Sequence, residues 1–197
     1  ATTYLGDVEV VVPKVVGYDN FTALHWRAGA DSLVHVASIG QTGSGFATTA
    51  RSLVKITNSG GGRWYFFGRR SGVAAEHENF RILDVDGTSA PLCFYGMNLE
   101  HARSDVFADF LDSSKIRIYG LKTEFAGEYG DGDPYTSSVF LSFNNTDNVV
   151  LVGYSALRYA PAPGLSAVEF LGDCQDVAAA LAAPQEDHGL VVPPGVN

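Results

Sequence analysis

Short phrases in which apolar and polar residues alternate, each ending near a glycine, recur along the chain. Lys115 to Glu124 reads KIRIYGLKTE, Trp64 to Arg70 reads WYFFGRR, Leu92 to Glu100 reads LCFYGMNLE, and Val149 to Ser155 reads VVLVGYS. A weaker copy, VHVASIGQ, runs from Val34 to Gln41. A period of two sends successive side chains to opposite faces, so each phrase predicts a strand. The pivot glycines Gly40, Gly68, Gly96, Gly120 and Gly153 are spaced by 28, 28, 24 and 33 residues, the differences between successive numbers. Repeats of this length are the mark of a solenoid, whose units bury a core only by stacking on one another.

Aligned on their glycines, the phrases predict which side chains point inward. Two residues before the glycine stand Phe66, Phe94, Ile118 and Leu151; four before it stand Trp64, Leu92, Ile116 and Val149. Both columns are apolar and predict an interior stack. Three before it come Tyr65, Cys93, Arg117 and Val150, a mixed column that predicts the outer face. Phe67, Tyr95 and Tyr119, immediately before the glycine, are expected on that outer face too. Ser104 to Gly120 lies over Ser137 to Gly153, and Leu165 to Leu181 is a degenerate third copy. The units are too short for a strand–helix–strand crossover. The fold class expected is all-β: one right-handed parallel β-helix of about five to six coils over residues 1–197. Residues 1–20 form an edge strand, broken by Pro13. Residues 21–183 form the coils, and residues 184–197 a proline-rich irregular tail. Gln41 to Thr49, rich in Gly, Ser and Thr, reads as a loop.

Composition agrees with this picture. Of 197 residues, 46% are hydrophobic and 18% charged, which argues against wholesale disorder, and 22 glycines fit a chain of many turns. A formal net charge of -9 argues against a nucleic-acid partner, because phosphate binding needs a basic face. No apolar run is long enough for a membrane span and no signal-peptide pattern opens the chain, so an exported protein would be met here in processed form or as an excised piece. Cys93 and Cys174 lack zinc spacing, and the alignment, which puts one on a strand and the other in a turn, predicts no disulfide between them. Asn20 and Asn144 open N-glycosylation triplets, which matter only in an exported eukaryotic chain.

With FYGMNLEH followed a coil later by KIRIYGLKTE, the chain resembles the pectin-lyase-like right-handed parallel β-helix superfamily, in particular its pectate-lyase-like and glucanase-like members. The resemblance spans Leu53 to Leu181. It implies an extracellular or cell-surface protein that binds a polysaccharide or cleaves it by elimination or hydrolysis. Members usually carry an amphipathic helix over the first coil, and no such helix is read here.

Candidate chemistry follows from the alignment. Glu100 and Glu124, four residues after their glycines, would sit on adjacent coils about 4.8 Å apart in backbone. Stacked carboxylates repel, which prepares an acid/base pair or a shared cation. At about 5 to 5.5 Å apart they would suit a retaining glycosidase. Arg70, Asn98 and Lys122 form the neighbouring column, and His101 follows Glu100. The strip therefore offers Glu100, Glu124, Lys122 and His101 as catalytic candidates, with Arg70 and Asn98 to hold substrate. The other reading of the strip is an ion ladder that closes the gaps between coils, in which Arg70 and Lys122 neutralise the two glutamates. Phe67, Tyr95, Tyr119 and Trp26 could stack on sugar faces or simply pack under loops. No cofactor is required, although Glu128, Asp131 and Asp133 in the loop EYGDGDP could hold calcium. A rival reading from another class is a structural module that joins end to end through its terminal coils into a fibre or surface array, without catalysis.

Overall fold

A computed structural model describes residues 2–12, 22–41, 52–68, 75–76, 79–100, 102–124, 139–157 and 168–180. In chain order its strands are β1 (Tyr4–Val12), β2 (Leu24–Trp26), β3 (Leu33–Gln41), β4 (Ser52–Thr57), β5 (Gly62–Tyr65), β6 (Ala75–Glu76), β7 (Arg81–Asp86) and β8 (Leu92–Glu100). They continue as β9 (Ala102–Arg103), β10 (Val106–Leu111), β11 (Ser114–Glu124), β12 (Val139–Asn144), β13 (Asp147–Leu157), β14 (Val168–Leu171) and β15 (Val177–Ala180). The described residues contain no helix.

Every pairing is parallel, and the strands fall into stacked sheets. Seven lie in one sheet, in the order β1-β3-β5-β8-β11-β13-β15, and six in a second, β14-β12-β10-β7-β4-β2; β6 and β9 form a third, two-stranded sheet. The chain alternates between the two large sheets, laying each coil on the one before. The result is a parallel β-helix, and its coil number differs slightly from the five to six expected.

Between the sheets the core is a set of columns, one residue per rung. Val34, Trp64, Phe94, Ile118 and Leu151 stack in register and are fully buried. The second sheet contributes Trp26, Ile56, Val85, Phe110, Phe143 and Phe170, whose last three rings lie face to face. Ile116, Ile118, Val149 and Leu151 all point inward, as the alternation predicts.

Two kinds of corner shape each coil. Where the second sheet hands over to the first, a left-handed residue turns the chain: Asn58, Gly87, Asp112, Asn145 and Gly172 on successive rungs. Beside it a buried side chain satisfies corner backbone. Ser113 Oγ donates to the Leu111 carbonyl at 2.7 Å, Thr146 Oγ1 donates to that of Phe110 at 2.9 Å, and Thr88 Oγ1 donates to that of Gly60. Cys174 takes this place at the last corner, its thiol donating to the Leu171 carbonyl at 3.2 Å. Both cysteines are free thiols. That corner is one residue longer than its neighbour: β14 pairs 27 residues after β12 (Leu141 with Val168), whereas β15 pairs 28 after β13 (Val149 with Val177).

The second corner lies inside the first sheet's long strands, at Gly96 (φ 73°), Gly120 (φ 74°) and Gly153 (φ 73°). Glycine takes this left-handed backbone without steric cost, and the inward face changes parity there. The two earlier pivots do not hold this position. Tyr65 pairs with Tyr95, which puts Phe66 (φ 54°) opposite Gly96, while Gly68 lies opposite Asn98, two residues further on. In β3 the equivalent residue is Val36, four before Gly40, and in β1 it is Asp7 (φ 53°).

That offset corrects two expectations. Phe66, expected inside, is 64% exposed. Phe67, expected on the outer face, is 1% exposed and packs edge-on against Trp64 at 5.6 Å between centroids. The mixed outer column is correspondingly Arg63, Cys93, Arg117 and Val150, with Tyr65 one column further on. Trp26 is also a core residue, 6% exposed, with Nε1 donating to the Gly61 carbonyl at 2.9 Å and its ring edge-on to Trp64. It offers no face to a sugar.

Candidate functional site

The outer face of the seven-stranded sheet brings together Tyr95, Tyr119, Asn98 and Lys122 of the expected site residues, arranged in columns across the rungs with the backbones of Glu100 and Glu124 beside them. The first holds Arg63, Cys93 and Arg117. Arg117 is anchored, both of its terminal nitrogens donating to Asn148. Cys93 lies between the two arginines; partial burial pushes its thiol pKa up, and the charge of Arg117 pulls the other way.

The second column is aromatic and longer than the sequence alignment indicates. His35, Tyr65, Tyr95 and Tyr119 follow one another on β3, β5, β8 and β11. Tyr65 and Tyr95 stack at 4.8 Å with 12° between planes, and Tyr95 and Tyr119 at 5.3 Å with 15°. His35 is tilted against Tyr65 at 6.4 Å. The parallel rung spacing imposes this stacking on identical side chains in register. Its consequence is that the tyrosines cover one another's faces and present edges and hydroxyls outward. Partial burial, joined by the neighbouring Cys93, Tyr65 and Tyr119, pushes the Tyr95 pKa up. Tyr65, His35 and Phe66 were missed as site residues, because alignment on Gly68 displaces WYFF by two places.

Past the glycine corner lies the polar column. Ser38, Gly68, Asn98 and Lys122 are in register, so Gly68 stands where Arg70 was expected beside Asn98. Arg70 itself lies outside the described residues, as does His101. The Asn98 amide oxygen is buried without a hydrogen-bond partner. Two residues on, the backbones of Glu100 and Glu124 are paired across adjacent rungs, as the alignment predicts. Glu100 is 5% exposed, and the Lys122 ammonium donates to its Oε1. The side chain of Glu124 lies outside the described set. Glu100 and Lys122 therefore form an ion pair that closes the gap between rungs, one of the two arrangements expected for the strip.

A second strip was not anticipated. On the outer face of the six-stranded sheet, His25, Lys55, Asp84, Asp109, Ser142 and Glu169 stand in one column. Lys55 Nζ lies 3.2 Å from Asp84 and 3.7 Å from Asp86. Partial burial pushes the Asp109 pKa up, against the attraction of Arg81; the charge of Asp84 adds to the rise, and the Ser142 hydroxyl opposes it. The signal was present in RILDVD, VFADFL and VFLSFN, where a polar residue holds the same outward place in three successive units. Both faces mix charges: Arg63, Arg117 and Lys122 share the aromatic face with Glu9 and Glu100, and Lys55 accompanies Asp84, Asp86, Asp109 and Glu169 on the other.

Among the described residues, no group of three His, Cys, Asp or Glu side chains could hold a metal ion. Glu128, Asp131 and Asp133, the calcium candidates, lie outside those residues, as does Asn20. Asn144 is half-buried at the end of β12, and the Thr146 hydroxyl of its triplet donates to the Phe110 carbonyl at 2.9 Å. Among the described residues, no helix is long and apolar enough to cross a membrane.

Compared with family models, curated proteins and solved structures, the chain matches none.

Proposed function

We propose that this chain is an extracellular carbohydrate-associated β-helix that binds a polysaccharide along the outer face of its seven-stranded sheet. The observation that carries the reading is the column His35–Tyr65–Tyr95–Tyr119 running beside Asn98 and Lys122 on the same strands. Aromatic surface edged with phenols, an amide and cations matches a sugar, which has apolar C–H patches and many hydroxyls. The sequence resemblance to pectin-lyase-like proteins supports the same reading. Binding is favoured over cleavage, because Glu100 is buried and held by Lys122, a poor position for a group that must reach a glycosidic bond.

Affinity electrophoresis of the full chain through gels cast with neutral and acidic polysaccharides tests this, with reducing ends and new unsaturated products followed in parallel. Retardation by at least one polysaccharide, without product, is the expected result. Retardation by none would overturn the reading, and product formation would replace binding by catalysis.

The end-to-end assembly reading has one observation in its favour. Among the described residues, β1 and β15 each pair on one side only. Against it, among the described residues the β15 end carries Glu169, Asp173 and Asp176 and the β1 end carries Asp7 and Glu9 beside Arg27, so stacked ends would bring carboxylates together. Sedimentation at low and high salt distinguishes the cases, a single monomeric species in both being the expected result.

A further inference from the structure

We infer that Phe66 is the sugar-stacking residue of this face, taking the apolar face of one pyranose unit of the bound glycan. The inference rests on the carbohydrate reading above and adds to it the residue that makes the contact.

Phe66 occupies the left-handed corner position that Gly96, Gly120 and Gly153 hold on later rungs, with φ at 54°. A bulky side chain in that conformation is a true outlier, because Cβ crowds the following carbonyl. Burial of the ring could offset such strain, yet Phe66 is 64% exposed. Strained backbone of this kind collects at ligand clamps, where it aims a side chain that the fold itself does not need.

Its surroundings fit a sugar. The ring lies over the next rung's corner, so that a methyl group built on Gly96 would come within 3.1 Å of its Cδ1. It meets His35 edge to face, with centroids 6.3 Å apart and planes at 83°. In backbone register, the pair Tyr65 and Tyr95 precedes this corner and the pair Gly68 and Asn98 follows it. The tyrosines stack on one another, whereas Phe66 meets His35 edge-on and keeps most of its surface exposed. A pyranose laid on it would lie beside the tyrosine column. The contact is dispersion between ring C–H groups and a π face, so it requires an aromatic side chain rather than apolar bulk alone.

The test compares wild type with Phe66→Gly, Phe66→Leu and Phe66→Trp by affinity electrophoresis on the polysaccharide that retards the wild-type chain most, with melting temperatures measured alongside. Phe66→Gly is expected to melt at or above wild type while binding ~tenfold more weakly or worse. Phe66→Leu keeps a bulky apolar side chain at the strained position and is expected to lose affinity to a similar degree, whereas Phe66→Trp keeps it. Equal affinity in all four proteins would overturn the inference and leave the carbohydrate reading standing. So would affinity that simply tracks melting temperature, with Phe66→Leu binding as wild type. A wild-type chain retarded by no polysaccharide would overturn both.

Discussion

A methyl group built on Gly62 would lie 2.5 Å from the Ser32 carbonyl oxygen, whereas one on Gly120 would meet only the Gly96 backbone at 3.8 Å. Both residues have positive φ, 102° and 74°. Gly120→Ala should therefore lose about 1–2 kcal/mol, the conformational cost alone. Gly62→Ala should lose more, since it adds a clash with backbone that cannot move aside. Urea denaturation of the two variants checks the order. The Asp109 carboxyl supplies a second prediction. Its folded pKa is raised, so the native state binds more protons than the unfolded chain between the ordinary carboxylate range and the raised value. Stability should thus fall as pH rises through that window, and the loss should persist above it. Asp109→Asn removes this titration and should melt higher than wild type near neutral pH, with the gap closing in acid. A constant gap across the pH range would mean that the Asp109 pKa is not raised by folding.

The stacked rings Phe110, Phe143 and Phe170 show how rung position sets the importance of a side chain. Phe143 is fully buried between two rings at 4.7 and 5.0 Å, while Phe170 is partly buried on β14, the last rung of its sheet. Phe143→Ala should cost about 3–5 kcal/mol, and Phe170→Ala distinctly less, as chemical denaturation would show. The inner columns of the later rungs could be read in the sequence because Ile116 and Ile118 alternate with Lys115, Arg117 and Tyr119 before a true corner glycine, and Val149 and Leu151 align with them on Gly153. The earlier rungs could not. Their corner position is held by Phe66 and Val36, residues whose identity gives no hint of a bend, while Gly68 and Gly40 lie two and four residues beyond it. A two-residue slip preserves strand parity, so it left Trp64 correctly inside. The change of parity at the corner then exchanged Phe66 with Phe67. The polar column was legible as far as Asn98, Lys122 and the paired backbones of Glu100 and Glu124. Whether Lys122 would neutralise Glu100 depends on side-chain reach, which spacing alone does not fix.

For the molecule as a whole, a net charge of -9 conceals an uneven distribution. Among the described residues, the six-stranded sheet sets Asp84, Asp86, Asp109 and Glu169 against Lys55, and the aromatic face mixes Arg63, Arg117 and Lys122 with Glu9 and Glu100. A net charge of this sign and size opposes self-association at low salt. Stability in such a stack is close to a sum of terms between neighbouring rungs, so a substitution at one level should leave distant levels nearly unchanged.

Because every large-sheet rung is bonded lengthwise to the next, the molecule resists force unequally. Tension along the stack axis loads a whole rung of parallel hydrogen bonds at once, whereas tension on one chain end peels β1 or β15 away bond by bond. Anchored by a terminus, the protein would yield as a zipper; gripped through a glycan lying across Tyr65, Tyr95 and Tyr119, it would share the load over several levels.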